Sequence, residues 1–409
     1  MNTKLLKSIK IAVIICLFPV VSQAQIYSVE VTAGAFDRLH SIVSFYLPAD
    51  FEPGEYHLQS ENDENTILQV DEKNRAWFIL DELASGGSKR YILNSDQKIE
   101  DLSVYSLNYE LDENTITLKT GSSRVLSYYH GENNPPDVLD ERYRRGGYIH
   151  PVYSPAGIIL TNHLNVDQHP HHSGIWSAWT NTVFEGRTPD FWNVHLNSGR
   201  VDVDNGAIVP IRGSVFTGFK SNHRFADLSS PEEPEIALNE VWKVQVFQPG
   251  NGYHLFDLEA TQTVNTDKPL HLPEYRYGGI GFRGHADWDV PENVTFLTAE
   301  GMNRDGHGTR TRWTHIGGRS DGVLAGIAIL GHPSNYRHPQ PVRIHPDEPF
   351  FNFAPQQMGD MIIEPGTPYT ARYRFITYDG EPVPKLLNRL WDDYAWPPGV
   401  SVVKLNEED

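Results

Sequence analysis

Histidine is unevenly spread through this 409-residue chain: seven of its 18 lie between His130 and His195. The densest point reads Asp167, Gln168, His169, Pro170, His171, His172, Ser173, Gly174, Ile175, Trp176, with Trp179 close behind. A run so rich in Pro, Gly and polar residues suits a strand end or loop at a cleft better than a buried core. Three chemistries fit it. One or two imidazoles suffice for acid/base work or substrate contact, because histidine titrates near neutral pH. Three or four converging donors would hold a divalent metal ion, with His169, His171 and Asp167 as candidates. The plainest alternative is a turn whose imidazoles are satisfied by hydroxyl and amide groups.

Upstream, Arg142, Arg144 and Arg145 precede Tyr148 and His150. A guanidinium fork matches a carboxylate or sulfate, so these residues predict an anion-selecting cleft; surface pairing with Asp137, Asp140 and Glu141 is the alternative. Downstream, Glu274 to Tyr277 run into Gly278, Gly279 and Gly281, then Phe282, Arg283 and His285. Read as a strand, Glu274 and Arg276 share one face. Glu274 is then a candidate base or hydroxyl acceptor, Arg283 an anion clamp and His285 an acid/base, set against a cross-strand ion pair beside a bulge. The loop from Asn303 to Trp313 repeats this vocabulary with Asp305 and His307. Trp176, Trp179, Trp192, Trp288 and Trp313 lie in or next to these clusters and predict cleft walls that stack on sugar rings, although the same rings would also staple a core.

The elements that must position these residues read as strands. Tyr27–Thr32, Ser41–Tyr46 and Ala76–Leu80 are short β-forming runs bounded by Pro, Gly, Asn and Asp, and predict a small β-sandwich module over residues 25–95. Val241–Phe247, Tyr253–Val264 and Tyr369–Tyr378 alternate with period two, which places a large antiparallel β-sandwich over residues 96–409. Helical periodicity is convincing only from Val383 to Tyr394, where Leu386, Leu387, Leu390 and Trp391 make an apolar stripe. The fold class expected is therefore all-β.

Composition narrows the chemistry. The chain carries 34 Lys and Arg against 53 Asp and Glu, a net charge of −19, which argues against nucleic acid as a partner. Lys4, Lys7 and Lys10 precede an apolar run from Ile11 to Val21, then Ser22, Gln23 and Ala24, the pattern of a signal peptide cleaved after Ala24. The run is about half the ~20 residues that span a bilayer. Cleavage would remove three lysines, taking the charge from −19 to −22, and the single cysteine, Cys16. A thiol-free protein of the periplasm or the exterior is expected. Phosphate-binding Gly-Lys-Ser/Thr loops, dinucleotide fingerprints and Gly-x-Ser-x-Gly elbows are all missing from the sequence, so nucleotide and redox-cofactor chemistry is unsupported.

Residues Arg144 to His150, His169 to Trp176 and Tyr275 to Arg283 together resemble motifs of the PmoA-like family of exported bacterial proteins. The resemblance implies a sandwich similar to that of aldose mutarotases, a mutarotase-like supersandwich, and a role in polysaccharide utilisation. It further implies a dehydratase acting on the terminal uronic acid of ulvan-type oligosaccharides. The methane-oxygenase activity that the family label suggests does not follow, because a membrane copper enzyme needs long apolar spans. Mutarotase-like sites pair a histidine acid with a carboxylate base, which His171 or His172 with Glu274 would repeat. Eliminating water from C4 and C5 of a uronate needs a base for the proton α to the carboxylate, a cation for the enediolate and an acid for the departing hydroxyl. Arg145 or Arg283 would be the clamp, His171 or His172 the base, and His285 or Tyr148 the acid, with Trp176, Trp179 and His150 lining the cleft. A divalent ion on the histidine-rich loop could replace the guanidinium. A glycoside hydrolase or sugar epimerase, and a non-catalytic glycan-binding protein, are the competing expectations; the partner in each case is an anionic oligosaccharide.

Overall fold

A computed structural model describes residues 25–48, 51–100, 106–204, 208–250 and 252–405. The expected signal, residues 1–24 with Cys16, lies outside the described residues. The architecture is all-β, with one α-helix among the described residues.

Six strands between Ile26 and Lys98 form an antiparallel sheet, in which alternate residues such as Tyr27, Val29 and Val31 turn inward. The sheet folds over on one core. Arg75–Leu83 and Ser88–Lys98 are separated in it by two other strands, a flat span of roughly 14 Å at ordinary strand spacing. The rings of Phe78 and Tyr91 nonetheless lie 5.5 Å apart. The seventh strand departs from the boundary expected from sequence. Gly399–Lys404, anticipated in the larger unit, pairs along Ile26–Thr32 from Tyr27↔Lys404 to Thr32↔Gly399 and supplies an edge of the N-terminal sheet. A pairing between residues so far apart leaves no local pattern to read.

Between these termini two larger antiparallel sheets face each other. One has eight strands, running in order from Val342–Ile344 through Phe350–Phe353, Gly279–Arg283, Ile175–Ala178, Tyr148–Val152, Ser123–Tyr129 and Thr115–Thr120 to Leu107–Leu111. The other has nine and is built around the long strands Phe216–Asp227, Glu235–Phe247, Tyr253–Val264 and Tyr369–Asp379. Leu126, Tyr128, Phe282 and Phe351 of the first meet Phe219, Trp242, Phe256 and Phe375 of the second in one continuous core. The helix Pro384–Ala395 starts with proline at its first turn, where no backbone donor is needed. Its stripe of Leu387, Leu390 and Trp391 packs on the outer face of the nine-stranded sheet, together with Ile42 and Trp77 of the N-terminal module.

Candidate functional site

Three short neighbouring strands of the eight-stranded sheet gather the sequence clusters. Ile175 sits opposite Ile149 on one side and Phe282 on the other, so the strands that carry Tyr148, Trp176 and Arg283 lie side by side in the sheet. Gly174 makes this crossing feasible: its φ is +53°, and a Cβ there would stand 2.1 Å from the Ile149 carbonyl oxygen. His169 is also left-handed, at φ 43°, an uncommon conformation for a side-chain-bearing residue.

The histidine loop folds into a cluster of rings. His169 and His172 stack at 5.0 Å, His171 lies 4.5 Å from His172 and 5.5 Å from the exposed His195, and His345 stands 5.8 Å from His169. His172 is itself packed on Trp176 at 5.0 Å and Phe350 at 4.5 Å. Glu348, from the turn between Val342–Ile344 and Phe350–Phe353, completes the arrangement. Its Oε1 accepts from His169 Nδ1 at 2.8 Å and its Oε2 from Arg283 at 2.9 Å. His169, His172 and Glu348 present donor atoms all within 4.8 Å of one another, and the buried Nδ1 of His172 has no hydrogen-bond partner among the described residues. This donor set suits a divalent cation of the zinc type.

Burial dominates the electrostatics. It pushes His171 down to about 3, helped by the charges of His169, His195 and Arg145 and opposed by Glu348. His172 is held well below its ordinary value by burial, then by its histidine neighbours and Arg283. Burial alone would raise the Glu348 carboxyl, but the hydrogen bond from His169 and the nearby His169, His345 and Arg283 hold it below the usual carboxylate range. His171, His172 and His345, all lowered by burial, are therefore neutral imidazoles at neutral pH beside an ionised carboxylate.

Arg145 is 9% exposed, and its Nη1 donates to the His171 carbonyl at 3.4 Å. It has no carboxylate ion-pair partner among the described residues, and its Nε is buried without an acceptor. Burial lowers it to about 10, against the fields of Tyr148 and Asp202. Its guanidinium lies 5.8 Å from the centre of the Tyr148 ring. The Tyr148 hydroxyl shares a 2.9 Å hydrogen bond with His163 Nε2 and accepts from Asn133 at 3.3 Å. Burial raises this phenol, so it keeps its proton. His150 is fixed by a 2.9 Å bond between its Nδ1 and Thr161, and burial, aided by the charge of His285, lowers it to about 4.

Several expectations are corrected. Trp176 and Trp179 are wholly buried and offer no face to a sugar; Trp179 instead donates to Gln262 at 2.7 Å, and Gln262 to Glu240 at 2.8 Å, inside the fold. Arg283 is buried with Glu348, Asp289 and Gln168 occupying its terminal nitrogens, so it positions carboxylates of the chain rather than waiting for one from outside. Glu274 is exposed and lies in an irregular segment, since the strand begins only at Gly279, which like Gly278 before it has a positive φ. It is not among the groups gathered around His169. Asp167 is exposed and lies outside the donor set, which takes Glu348 in its place, and His171 is replaced there by His172. His285 accepts from the Asp287 backbone and serves as the cap of a short 3-10 turn. Sequence reasoning missed Glu348, His163 and His345. The polar turn His345, Pro346, Asp347, Glu348, Pro349 between two apolar runs was the available signal for two of them.

A family model matches residues 115–392, about two thirds of the sequence, and the chain belongs to that family, DUF6807, a family of unknown function. No curated protein matches the chain. Among solved structures, it is similar to the heparan sulfate lyase HepC from Pedobacter heparinus, with 8% identity, a TM-score of 0.33, and coverage of 71% of this chain and 38% of that one. A mutant of the same lyase gives a TM-score of 0.32 with the same identity and coverage. The chain thus spans well under half the length of these structures. Among the described residues no helix is long and apolar enough to cross a membrane.

Proposed function

We propose that the protein is a carbohydrate dehydratase, a carbon–oxygen lyase that removes water from the terminal uronic acid of a polysaccharide-derived oligosaccharide of the ulvan type. The observation that carries this reading is the unpaired, buried Arg145 guanidinium next to neutral imidazoles and a protonated phenol. A buried cation without a counter-charge is costly, and a substrate carboxylate is the counter-charge that would relieve it. Arg145 would hold the uronate carboxylate and stabilise the enediolate formed when the C5 proton leaves. His171, neutral and beside Arg145, would accept that proton, its basicity rising as the incoming carboxylate offsets the surrounding cations. The C5–H electrons become the C4–C5 double bond, the C4–O bond breaks, and the imidazolium of His171 passes the proton it took from C5 to the departing hydroxyl, which leaves as water, while the wholly buried Tyr148 stays beneath the Arg145 guanidinium.

A divalent ion at His169, His172 and Glu348 would replace the proton now shared by His169 and Glu348, and would divide the carboxylate's charge with Arg145. The resemblance to PmoA-like exported proteins supports both the substrate class and a periplasmic or extracellular site of action. Incubating the protein with saturated uronate-ended oligosaccharides is the test. Elimination creates a conjugated acid absorbing at about 235 nm and a product lighter by one water. Chain shortening without that absorbance would identify a hydrolase, and a change of configuration at constant mass an epimerase. Binding without any product would leave a glycan-binding protein, and His171→Ala, expected to lose turnover but keep ligand, separates that case. Elemental analysis of untagged protein decides the metal.

A further inference from the structure

A second cleft lies away from the histidine cluster, between the N-terminal module and the outer face of the nine-stranded sheet. It encloses about 450 Å³, within the range of roughly 300–1,000 Å³ usual for small-ligand sites. Its lining mixes charges, but they do not cancel evenly. Arg374 is held by Asp257 through two bonds of 2.7 and 2.9 Å, and Arg372 by Glu259 at 2.7 Å. Lys243 reaches Asp71 only at 4.0 Å, and burial lowers its pKa. Arg75 has no carboxylate partner among the described residues. One of its nitrogens donates to the Ser44 hydroxyl at 2.6 Å, and its guanidinium lies over the Trp77 ring at 4.3 Å.

Donors also outnumber acceptors along one wall. Arg75 Nε, Trp77 Nε1 and Gln245 Nε2 are three buried N–H groups without a hydrogen-bond partner among the described residues, and all three residues line this cleft. Trp77 and Gln245 are 7% and 6% exposed. Buried donors are almost always satisfied, so three unsatisfied ones at a single cleft call for acceptor oxygens from outside the chain. Tyr46, also in the lining, is 67% exposed and offers a flat aromatic face. Aromatic rings suit the apolar face of a pyranose while polar neighbours meet its substituents.

We propose that this inter-module cleft is a second, non-catalytic binding site for an acidic sugar, whose carboxylate or sulfate sits between Arg75 and Lys243 while its ring packs on Tyr46. The site is independent of the elimination chemistry proposed above and would anchor an acidic glycan by a residue remote from the histidine cluster.

The test uses the full-length Arg145→Met variant, which silences the proposed substrate clamp, and titrates it calorimetrically with three tetrasaccharides. A hyaluronan tetrasaccharide carries carboxylates alone, a chondroitin 4-sulfate tetrasaccharide adds sulfate, and cellotetraose is neutral. The expected result is one remaining site for the acidic probes and none for cellotetraose, weakened roughly tenfold or more by Arg75→Met, as loss of a charge-assisted bond implies. Tyr46→Ala, at an exposed position that folding tolerates, should weaken it as well. Preference between the two acidic probes tells carboxylate from sulfate. No binding to Arg145→Met, equal binding of cellotetraose, or affinity unchanged in both Arg75→Met and Tyr46→Ala would overturn the proposal. These readouts do not depend on turnover, so failure of the dehydratase reading and failure of this one remain separable.

Discussion

Arg145 donates to the main-chain carbonyl of His171 at 3.4 Å, and this neutral acceptor stands where a buried guanidinium would ordinarily have a carboxylate. The consequence for stability is opposite to that of most buried arginines. Removing an unpaired buried charge relieves desolvation and breaks no ion pair. Arg145→Met is therefore expected to melt at or above the wild-type temperature while kcat/KM on uronate-ended oligosaccharides falls about 100-fold, the scale of a lost charge-assisted contact. Thermal melts and initial rates on the same preparations check it. A folded Arg145→Met with full activity would remove the clamp from the mechanism.

Arg283 should behave the other way. It bonds Glu348 at 2.9 Å and also engages Asp289, and the arginine itself is 1% exposed. Arg283→Met leaves two carboxylates short of their counter-charge, which costs about 3–5 kcal/mol when a buried pair is broken from one side. Urea unfolding should show that loss, with Arg283→Lys recovering part of it. A stable Arg283→Met whose only defect is a raised KM would return Arg283 to the role of substrate clamp.

The contrast between these arginines shows where the sequence was legible. Strands such as Tyr253–Val264 and the helix at Pro384–Ala395 follow from period-two and period-3.6 patterns, which are local. The gathering of His169, Arg145 and Tyr148 was legible as clusters of residue types. What each arginine does was not, because it depends on partners distant in sequence: Glu348 for Arg283, and for Arg145 the lack of any such carboxylate among the described residues. The tryptophans misled for a related reason. Type and neighbourhood are the same for a ring that lines a cleft and one that closes it from beneath, and only burial tells them apart. Gly399–Lys404 alternates like any strand, yet its partner is the first strand described, Ile26–Thr32.

Acid stability follows from the buried imidazoles. His315, 1% exposed and bonded through Nδ1 to the Tyr378 hydroxyl at 2.6 Å, is lowered by burial to about 3 from an ordinary 6.5. The folded state keeps it neutral while the unfolded chain protonates, so its contribution is fully present above pH 6.5 and is lost as pH falls from there towards 3. The slope is about 1.4 kcal/mol per pH unit for one such group. Unfolding free energy measured between pH 7 and pH 4 should decline, and His315→Gln should decline less steeply by about that amount. Parallel slopes for the two proteins would mean that His315 is protonated in the fold.

Trp179 separates the two roles that a tryptophan beside a site can have. Its indole donates to Gln262 at 2.7 Å, Gln262 passes a 2.8 Å bond to Glu240, and Glu240 meets His223 at 2.7 Å, all within the interior. Trp179→Phe keeps most of the apolar ring but leaves the Gln262 carbonyl oxygen without its donor, and an unsatisfied buried acceptor costs about 1–3 kcal/mol. The expected outcome is a protein destabilised by that order, with KM for oligosaccharide unchanged because no part of the ring reaches the surface. Denaturant midpoints and KM measured side by side decide the matter. Wild-type stability with a several-fold higher KM would show that Trp179 meets the sugar after all, and would require the interior network to open on binding.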